Sequence, residues 1–225
     1  YYCWHNYLKK KDRFEMKHAF WGPHYNEEEI LSEIKVKNLK YERFDDNEKL
    51  TKYAAKLISD SNVVGWYQGR SEWGSRALGN RSILANPAHK NMKDIINSKI
   101  KKRESFRPFA PSVLEDDVNK FFECDVKSDF MNHIVKFKKE WREVFPSVCH
   151  VDHTARLQTV SKENNSLFYQ LITELKKITG YGIILNTSFN ENEPIVDTPE
   201  QAINCFLRTD MDILFLEKFM ISKNS

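Results

Sequence analysis

The chain has 225 residues, of which 40% are hydrophobic and 13% aromatic, and its net charge is +3, a composition that predicts one ordered globular core and excludes a disordered chain. Its most apolar runs, 181–187 and 211–217, are far shorter than the ~20 residues of a membrane span, and no signal-peptide pattern opens the sequence, so we expect a cytoplasmic protein that contacts no membrane. Four scattered cysteines without a C-x-x-C pair indicate reduced, mostly buried thiols.

The N-terminal part of the chain predicts helices followed by a strand. Residues 1–14, YYCWHNYLKKKDRF, have the pattern of an aromatic helix end that runs into a charged linker, and we expect such a chain to be part of a longer protein. Asn26 and Glu29 have the spacing of a capping box and predict a short helix directly after Asn26. The segment 46–59 has an apolar face at helical spacing, and 63–68 has the composition of the strand that follows it.

A segment rich in glycine and arginine comes next, GWYQGRSEWGSRALGNRSIL, residues 65–84. Its spacing matches neither the P-loop pattern G-x-x-x-x-G-K-[ST] nor the dinucleotide pattern G-x-G-x-x-G. Glycines permit positive φ and close backbone approach, and arginines offer planar donors to phosphate or carboxylate oxygens, so the segment favours an anion site. The alternative interpretation is a tight turn whose arginines pair with neighbouring acids.

Positive charge is concentrated in and after this segment. Residues 70–107 contain ten Lys or Arg and three acidic residues, a local charge of +7, so the rest of the chain sums to −4. This distribution favours a phosphate-sized partner over an extended nucleic acid, while a solvated basic face remains the alternative.

The remaining segments continue the alternation of helices and strands. Asn91 is placed to cap a helix over 91–103, and two prolines should keep 105–114 extended. A helix over 166–179 has Ile178 on its apolar face and a glycine placed directly after it.

Near the C-terminus, Thr198, Pro199 and Gln201 have the pattern of a helix start between the strands predicted over 181–187 and 211–217. The alternation predicts a mixed α/β (α+β) fold and leaves the strand order open.

Three further segments add candidate ligand-binding side chains. The stretch 96–113 places its basic residues beside two prolines and two phenylalanines, which makes it rigid. Arg156 lies in a run of small and β-branched residues, where a charge needs a partner. Asn186 and Ser188 lie at the carboxyl end of a predicted strand, a common ligand position in α/β sheets.

Four of these segments together resemble one protein family. GWYQGRSEWGSRALGNRSIL, IKKRESFRPFAPSVLE, VDHTARLQTV and LNTSFNENEPIVDTPEQAI follow in the order seen in carbamoyltransferases of the NodU type and antibiotic O-carbamoyltransferases. The resemblance covers about residues 20–217 and is to the C-terminal, YrdC-like domain of these enzymes. It implies a twisted sheet flanked by helices, with 46–225 as the YrdC-like domain, 21–45 as a connector and 1–20 as the end of a preceding domain.

The resemblance implies an O-carbamoyltransferase with two domains. In such enzymes the YrdC-like domain is similar to the domain that makes threonylcarbamoyl-adenylate, and it converts ATP and carbamoyl phosphate to a carbamoyl-adenylate. A metal-holding N-terminal domain of the actin-like ATPase fold, which this sequence lacks, then passes the carbamoyl group to a hydroxyl of a small molecule. The expected cofactor is ATP with Mg²⁺, carbamoyl phosphate is the co-substrate, a homodimer is compatible with the family, and the acceptor is left open.

The family's functional residues correspond to six positions of this sequence, two of them with catalytic roles: Arg76, Lys101 (catalytic), Arg107 (catalytic), Arg156, Asn186 and Ser188. Lys and Arg suit the polyanionic ATP and carbamoyl phosphate and the charge that grows on equatorial oxygens during attack at the α-phosphorus. Asn186 and Ser188 can exchange hydrogen bonds with the carbamoyl amide, a group too small to be selected by shape alone.

Three positions depart from the family pattern. Ser75 stands where a proline is usual and Asn86 where an aspartate is usual, and both should alter only the stiffness of their loops. His153 stands where a glycine is usual. Its side chain is expected near Arg156, where it would narrow the site or add a phosphate contact.

Other conspicuous residues receive structural interpretations. The cluster at 149–153 contains cysteine, histidine and aspartate, but alternate side chains of an extended run face opposite ways, so no metal site is predicted. Glu72 and Arg81 are expected either to touch the ligand or to brace the loop in an ion pair. Lys102 and Arg103 are expected at a solvated edge.

Three aromatic residues of these segments are expected in the core, with an adenine-stacking platform as the alternative for one of them: Trp66, Phe106 and Phe109.

Two other functions remain open. The basic region could form a concave RNA-binding surface or belong to a threonylcarbamoyl-adenylate synthase, but no threonine-recognition feature is identifiable, and nucleic acid is not the expected partner. A purely structural domain that only docks the missing half would bind no nucleotide.

Overall fold

The computed structural model describes residues 2–9 and 16–223. Its helices are α1 (Tyr2–Asn6), α2 (Glu27–Val36), α3 (Asn47–Ser59), α4 (Met92–Ile95), α5 (Val118–Phe121), α6 (Ser166–Thr179) and α7 (Pro199–Arg208). Its strands are β1 (Glu42–Arg43), β2 (Val64–Tyr67), β3 (Arg81–Ala85), β4 (Ala110–Leu114), β5 (His133–Lys136), β6 (Thr154–Val160), β7 (Ile183–Ser188), β8 (Ile213–Leu216) and β9 (Phe219–Ser222). Within these described ranges, no helix is both long and apolar enough to cross a membrane.

The strands of the described chain form one mixed sheet in the order β1-β9-β8-β2-β3-β7-β4-β6-β5. β2 is parallel to β8 and β4 is parallel to β6, whereas the other neighbours are antiparallel. At the centre, Leu84 of β3 lies opposite Asn186 of β7, and Ala110 of β4 lies opposite the same asparagine. The mixed α/β fold predicted from the sequence is confirmed.

Helices cover both faces of the sheet. α3 and α6 pack together on one face, where Leu50 and Phe168 are buried, and α2 and α7 pack on the other, where Phe206 is buried. Successive strand residues alternate between these faces, so Trp66 lies in the α3–α6 layer and Tyr67 in the α2–α7 layer. Each fully buried side chain of this size contributes roughly 1.5–3 kcal/mol to the stability of the fold.

The predicted helix signals are largely confirmed. Asn26 Oδ1 accepts from the Glu29 N–H at 2.9 Å while Glu29 Oε2 accepts from the Asn26 N–H at 2.7 Å, and a second capping box starts α7. Gly180 takes a left-handed φ of 82° and ends α6 by donating to Lys176 O. The prediction that Ile178 lies on the apolar face of α6 was wrong. The buried face is formed by residues 168, 171, 172 and 175, and Ile178 is 53% exposed.

The segment 91–114 differs from the predicted helix and extended stretch. Only Met92–Ile95 is α-helical; a π-helical turn over Ile96–Ile100 follows, and Asn91 makes no side-chain cap bond. β4 begins only at Ala110, so the preceding residues form a loop. Phe106 lies on this loop and is 75% exposed, so the prediction of a core position was wrong for it, whereas Trp66 and Phe109 are buried as predicted.

The predicted connector is built into the fold. α2 packs against α7, and β1 pairs with β9 at the sheet edge. The segment 19–23 runs beside the glycine-rich loop, where the Gly22 N–H donates to Ser71 O at 3.0 Å and the Trp73 N–H donates to Ala19 O at 2.6 Å. One side of that loop is therefore fixed by residues 19–23, which span the boundary between the first two predicted segments, while the division into 1–20, 21–45 and 46–225 stays a prediction.

The four cysteines are free thiols, with Cys205 buried and Cys3 exposed. Residues 1 and 10–15, part of the predicted helix end and linker, lie outside the described residues.

Candidate functional site

The glycine-rich loop, residues 68–80 between β2 and β3, is held by its own glutamate. One carboxylate oxygen of Glu72 accepts from the backbone N–H groups of Leu78 at 2.7 Å, Asn80 at 2.8 Å and Arg81 at 3.1 Å. Gly79 has a φ of 108°, and a Cβ there would lie 2.3 Å from the Phe168 ring, so this close approach requires glycine. The sequence suggested that backbone N–H groups of this loop bind an anionic ligand. In the structure, these three donate to the Glu72 carboxylate instead.

Arg81 also stabilises this loop, through its buried side chain. Its side chain is fully buried, its guanidinium lies 3.5 Å from the centroid of the Tyr67 ring, and its Nη atoms donate to Gln68 O at 2.8 Å and Gly69 O at 3.1 Å. The ion-pair interpretation was wrong for both Glu72 and Arg81, since neither side chain forms an ion pair with any residue of the described chain. Both act through backbone groups.

Next to this loop lies a cavity of about 350 Å³, which we call the arginine cavity after four of its lining residues, Arg76, Arg103, Arg107 and Arg156. Arg76 comes from the glycine-rich loop, Arg103 and Arg107 from the loop before β4, and Arg156 from β6. Asn186 and Ser188 line it from the end of β7. Five of the six predicted site residues thus meet here, and among the residues that the structure describes no acidic one lines the cavity.

The arginines of this cavity are largely without protein partners. Within the described residues, the side chains of Arg76, Arg107 and Arg156 make no ion pair, and Arg156 Nε is buried without an acceptor. Burial and the neighbouring Arg76 hold the pKa of Arg156 below its usual value. Cations in this state favour a bound anion, which would supply both the missing acceptors and the missing charge.

Arg103 was missed as a site residue. Instead of lying at a solvated edge, it lines the cavity, stacks 4.9 Å from the Phe109 ring centroid and donates from Nε to Asn97 Oδ1 at 2.7 Å. Burial and Arg107 lower its pKa. The reason is the backbone at Lys102, whose φ of 44° turns that side chain outward to an ion pair with Glu191 at 2.9 Å and leaves Arg103 facing inward.

A buried amide and hydroxyl network forms one wall of the cavity. Asn186 Nδ2 lies 3.0 Å from Ser112 Oγ and 3.0 Å from Gln158 Oε1, and Gln158 Nε2 donates to Leu78 O at 2.8 Å. Asn186 Oδ1 is buried without a hydrogen-bond partner. The wall therefore presents Asn186 Oδ1 as an acceptor with a fixed position. The sequence signal for this network was the presence of two polar residues, Ser112 and Gln158, within extended segments.

Lys101 does not line the arginine cavity; it lies behind Ser188. Its Nζ donates to Ser188 O at 2.6 Å, Asn190 O at 2.8 Å and Asn190 Oδ1 at 2.6 Å, and the residue is only 2% exposed. Burial lowers the pKa of Lys101 to about 7, and Arg103 and Arg107 contribute to the shift. The amine thus fixes the position of Ser188, and its direct contact with a substrate stays a prediction.

The two histidines of the segment 150–153 both line a surface depression that also contains Cys149. His153 takes a left-handed φ of 65° and does not line the arginine cavity, so the expectation that it narrows that site was wrong. His150 lines the arginine cavity as well as the depression, and burial lowers its pKa. Throughout the described ranges, His, Cys, Asp and Glu form no group of three that could hold a metal ion.

Comparisons with known proteins match this chain to one family and one fold. A family model described as carbamoyltransferase C-terminus matches residues 55–223. Nodulation protein NolNO of Sinorhizobium fredii (strain NBRC 101917 / NGR234) is 45% identical over 220 residues, which cover 95% of this chain and 32% of that protein. The chain spans less than half the length of the curated relatives that it matches along nearly all of its own length.

Solved structures with the same fold are more distant in sequence. Full-length HypF in a phosphate- and nucleotide-bound form aligns with a TM-score of 0.50 at 16% identity, over 80% of this chain and 22% of that one. Sua5 of P. abyssi complexed with L-threonine aligns with a TM-score of 0.54 at 12% identity, over 78% of this chain and 48% of that one. The YrdC-like sheet flanked by helices is confirmed.

Proposed function

This chain belongs to the carbamoyltransferase C-terminus family, and from that premise we propose that it binds ATP and carbamoyl phosphate and forms a carbamoyl-adenylate. A further domain of the same enzyme, in the part of the relatives that this chain does not span, would transfer the carbamoyl group to a hydroxyl of a small molecule. The actin-like ATPase fold and a metal are expected in that domain. The acceptor would be bound there.

The observation that carries the proposal is the lining of the arginine cavity, to which the described part of the chain contributes four guanidinium groups and no carboxylate. Fixed cations in a cavity sheltered from water stabilise phosphate groups more strongly than they would in bulk solvent. In the proposed reaction, water hydrolyses carbamoyl phosphate to carbamate and inorganic phosphate. A carbamate oxygen then attacks the α-phosphorus of ATP, the bond from this phosphorus to the bridging oxygen breaks, and pyrophosphate leaves. The arginines would stabilise the charge on the phosphoryl oxygens during this step.

The carbamoyl group would lie against the polar wall. Asn186 Oδ1 is an acceptor without a partner, which suits an amide N–H of the carbamoyl group. Ser188 Oγ lies at the same wall and donates to Asn190 Oδ1 at 2.8 Å, so its direction is set. Lys101 would act as a positioning residue through Ser188, because its ammonium holds the Ser188 carbonyl.

Mg²⁺ is the expected companion of ATP, but the arginine cavity does not supply its ligands. Mg²⁺ prefers carboxylate and phosphate oxygens, and within residues 2–9 and 16–223 no Asp or Glu lines this cavity. Any Mg²⁺ would therefore be held by the nucleotide phosphates, and the arginines carry the charge stabilisation in our proposal.

Isotope exchange between pyrophosphate and ATP, dependent on carbamoyl phosphate, tests the proposal. Arg107→Ala removes a cavity guanidinium and should reduce exchange by roughly a hundredfold to a thousandfold, the usual effect of removing one oxyanion donor. Arg43→Ala is the matched control, because Arg43 lies on the edge strand β1 and pairs with Glu27 and Asp45. It should leave exchange unchanged.

Full exchange by Arg107→Ala, with an unchanged melting temperature, would refute the assignment of the cavity. L-threonine with bicarbonate, in place of carbamoyl phosphate, forms the arm that detects a threonylcarbamoyl-adenylate synthase. RNA titration at two salt concentrations forms the arm that detects a nucleic-acid module, since phosphate contacts make affinity fall steeply with salt.

A further inference from the structure

A second cavity, of about 700 Å³, lies on the other side of the glycine-rich loop. We call it the tryptophan cavity after Trp73, whose side chain is 78% exposed on its wall. Ser75 and Ser188 line both this cavity and the arginine cavity, so the two cavities adjoin at these residues.

The two cavities differ in charge. Of the described residues, no acidic one lines the arginine cavity, whereas Glu72 and Asp197 both line the tryptophan cavity. Phosphate groups would be repelled by these carboxylates, while hydroxyl and amino groups would find acceptors in them. The larger cavity thus suits a neutral group that carries hydrogen-bond donors.

Apolar and polar features of the tryptophan cavity occur together. Pro23, Pro194 and Ile195 line it beside the Trp73 ring, which gives a flat ligand apolar surface to lie against. Two polar atoms of lining residues, Glu72 Oε2 and Arg81 Nε, are buried and lack a hydrogen-bond partner in the described chain, and the Arg81 side chain is fully buried.

Hydrogen bonds between distant segments hold the backbone and one carboxylate of this cavity. The Trp73 N–H donates to Ala19 O at 2.6 Å, which ties the loop to the segment just before the connector. Asp197 Oδ1 accepts from Ser71 Oγ at 2.7 Å, which orients the carboxylate. The backbone that carries Trp73 and the Asp197 carboxylate are therefore positioned by contacts within the chain.

We propose that the tryptophan cavity binds the nucleoside half of the nucleotide whose phosphates lie in the arginine cavity. The base stacks on Trp73, and Asp197 accepts hydrogen bonds from the ribose hydroxyls. The inference rests on the proposed function and assigns the nucleoside to a cavity of its own. Aromatic stacking binds any base through its π-face, and a volume of this size falls in the usual range for small-ligand sites, ~300–1,000 Å³.

Calorimetric titration of the full chain with two probes separates the two cavities. One probe is a non-hydrolysable ATP analogue with Mg²⁺, and the other is tripolyphosphate, which has the phosphates but no nucleoside. Trp73→Ala should weaken binding of the ATP analogue by roughly tenfold to a hundredfold, the usual range for loss of base stacking, and leave tripolyphosphate binding unchanged. Trp73→Phe keeps a stacking ring and should restore most of the affinity.

Trp21→Ala is the matched control, because Trp21 is 54% exposed and does not line the tryptophan cavity. Asp197→Asn should weaken binding of the ATP analogue by roughly tenfold. It should leave the binding of a 2′,3′-dideoxy analogue unchanged, since that analogue lacks both ribose hydroxyls.

Equal affinity of wild type and Trp73→Ala for the ATP analogue would overturn the nucleoside site and leave the proposed function standing. Failure of wild type to bind either probe would overturn the proposed function, and the nucleoside site with it.

Discussion

The arginine cavity contains like charges without partners, so Arg156→Met should make the protein more stable when no anion is bound. A sphere of the cavity's volume is about 9 Å across, and two like charges at that separation repel by roughly 2 kcal/mol at an effective dielectric constant of ~20. Screening at ~0.15 M salt leaves about a third of this, so three neighbouring arginines oppose Arg156 by roughly 2 kcal/mol. Its buried Nε has no acceptor to offset the repulsion.

We expect Arg156→Met to raise the free energy of unfolding by about 1–2 kcal/mol, which corresponds to roughly 3–6 °C in melting temperature for a chain of this length. Methionine keeps an apolar stem of similar length, so packing against the cavity wall changes little. With a saturating anion, the wild type should instead have the higher melting temperature of the two proteins. At ~100 times its Kd, tripolyphosphate would stabilise the wild type by about 2.7 kcal/mol and the variant by much less.

Thermal unfolding followed by circular dichroism, with and without tripolyphosphate, measures both effects. Arg142→Met is the control of opposite sign, because Arg142 donates to Phe137 O at 3.1 Å and pairs with Glu123 at 3.4 Å. It should melt lower than the wild type. If Arg156→Met also melts lower without ligand, or if tripolyphosphate stabilises it as much as the wild type, the reasoning from like-charge repulsion is wrong.

Two further predictions concern His153 and Lys101. His153→Gly should raise the free energy of unfolding by up to about 1 kcal/mol, because a left-handed residue costs ~1–2 kcal/mol and glycine returns part of that through chain entropy; urea unfolding measures the gain, and tripolyphosphate affinity should not change. Lys101→Met should flatten the pH dependence of stability. Burial lowers the folded-state pKa of Lys101 to about 7, so between there and an unfolded-state pKa of about 10.5 the unfolded chain holds the extra proton, and wild-type stability rises with pH by up to ~1.4 kcal/mol per unit. Equal slopes in the two proteins over about pH 7.5–9.5 would show that the oxygen acceptors keep Lys101 charged in the fold.

Local patterns predicted the elements that depend on neighbours in sequence. The capping boxes at Asn26 and Thr198 and the left-handed Gly180 are local devices, and all three have the predicted geometry. Strands β3 and β9 were not assigned, because RSILA and FMIS are short and carry no turn signal of their own. Their positions follow from sheet pairing, which joins residues far apart in the chain.

The candidate site could be predicted for its charges but not for the direction of each side chain. The motifs identified Arg76, Arg107 and Arg156, which do meet in one cavity. They did not predict that a left-handed Lys102 would turn Arg103 inward. Such a backbone reversal is a product of the packing around the π-helical turn before it, and the residue types alone do not determine it.

The way in which Lys101 is held follows from the charge of the cavity in front of it. A buried ammonium group is commonly paired with a carboxylate, yet the acceptors of Lys101 Nζ are backbone carbonyls, an amide oxygen and a hydroxyl. A carboxylate at this point would lie behind Ser188 and cancel part of the positive field of the arginines. Neutral oxygens satisfy the ammonium hydrogens without adding negative charge. The cavity therefore keeps its attraction for anions, while burial, with a contribution from the neighbouring Arg103, lowers the pKa of Lys101.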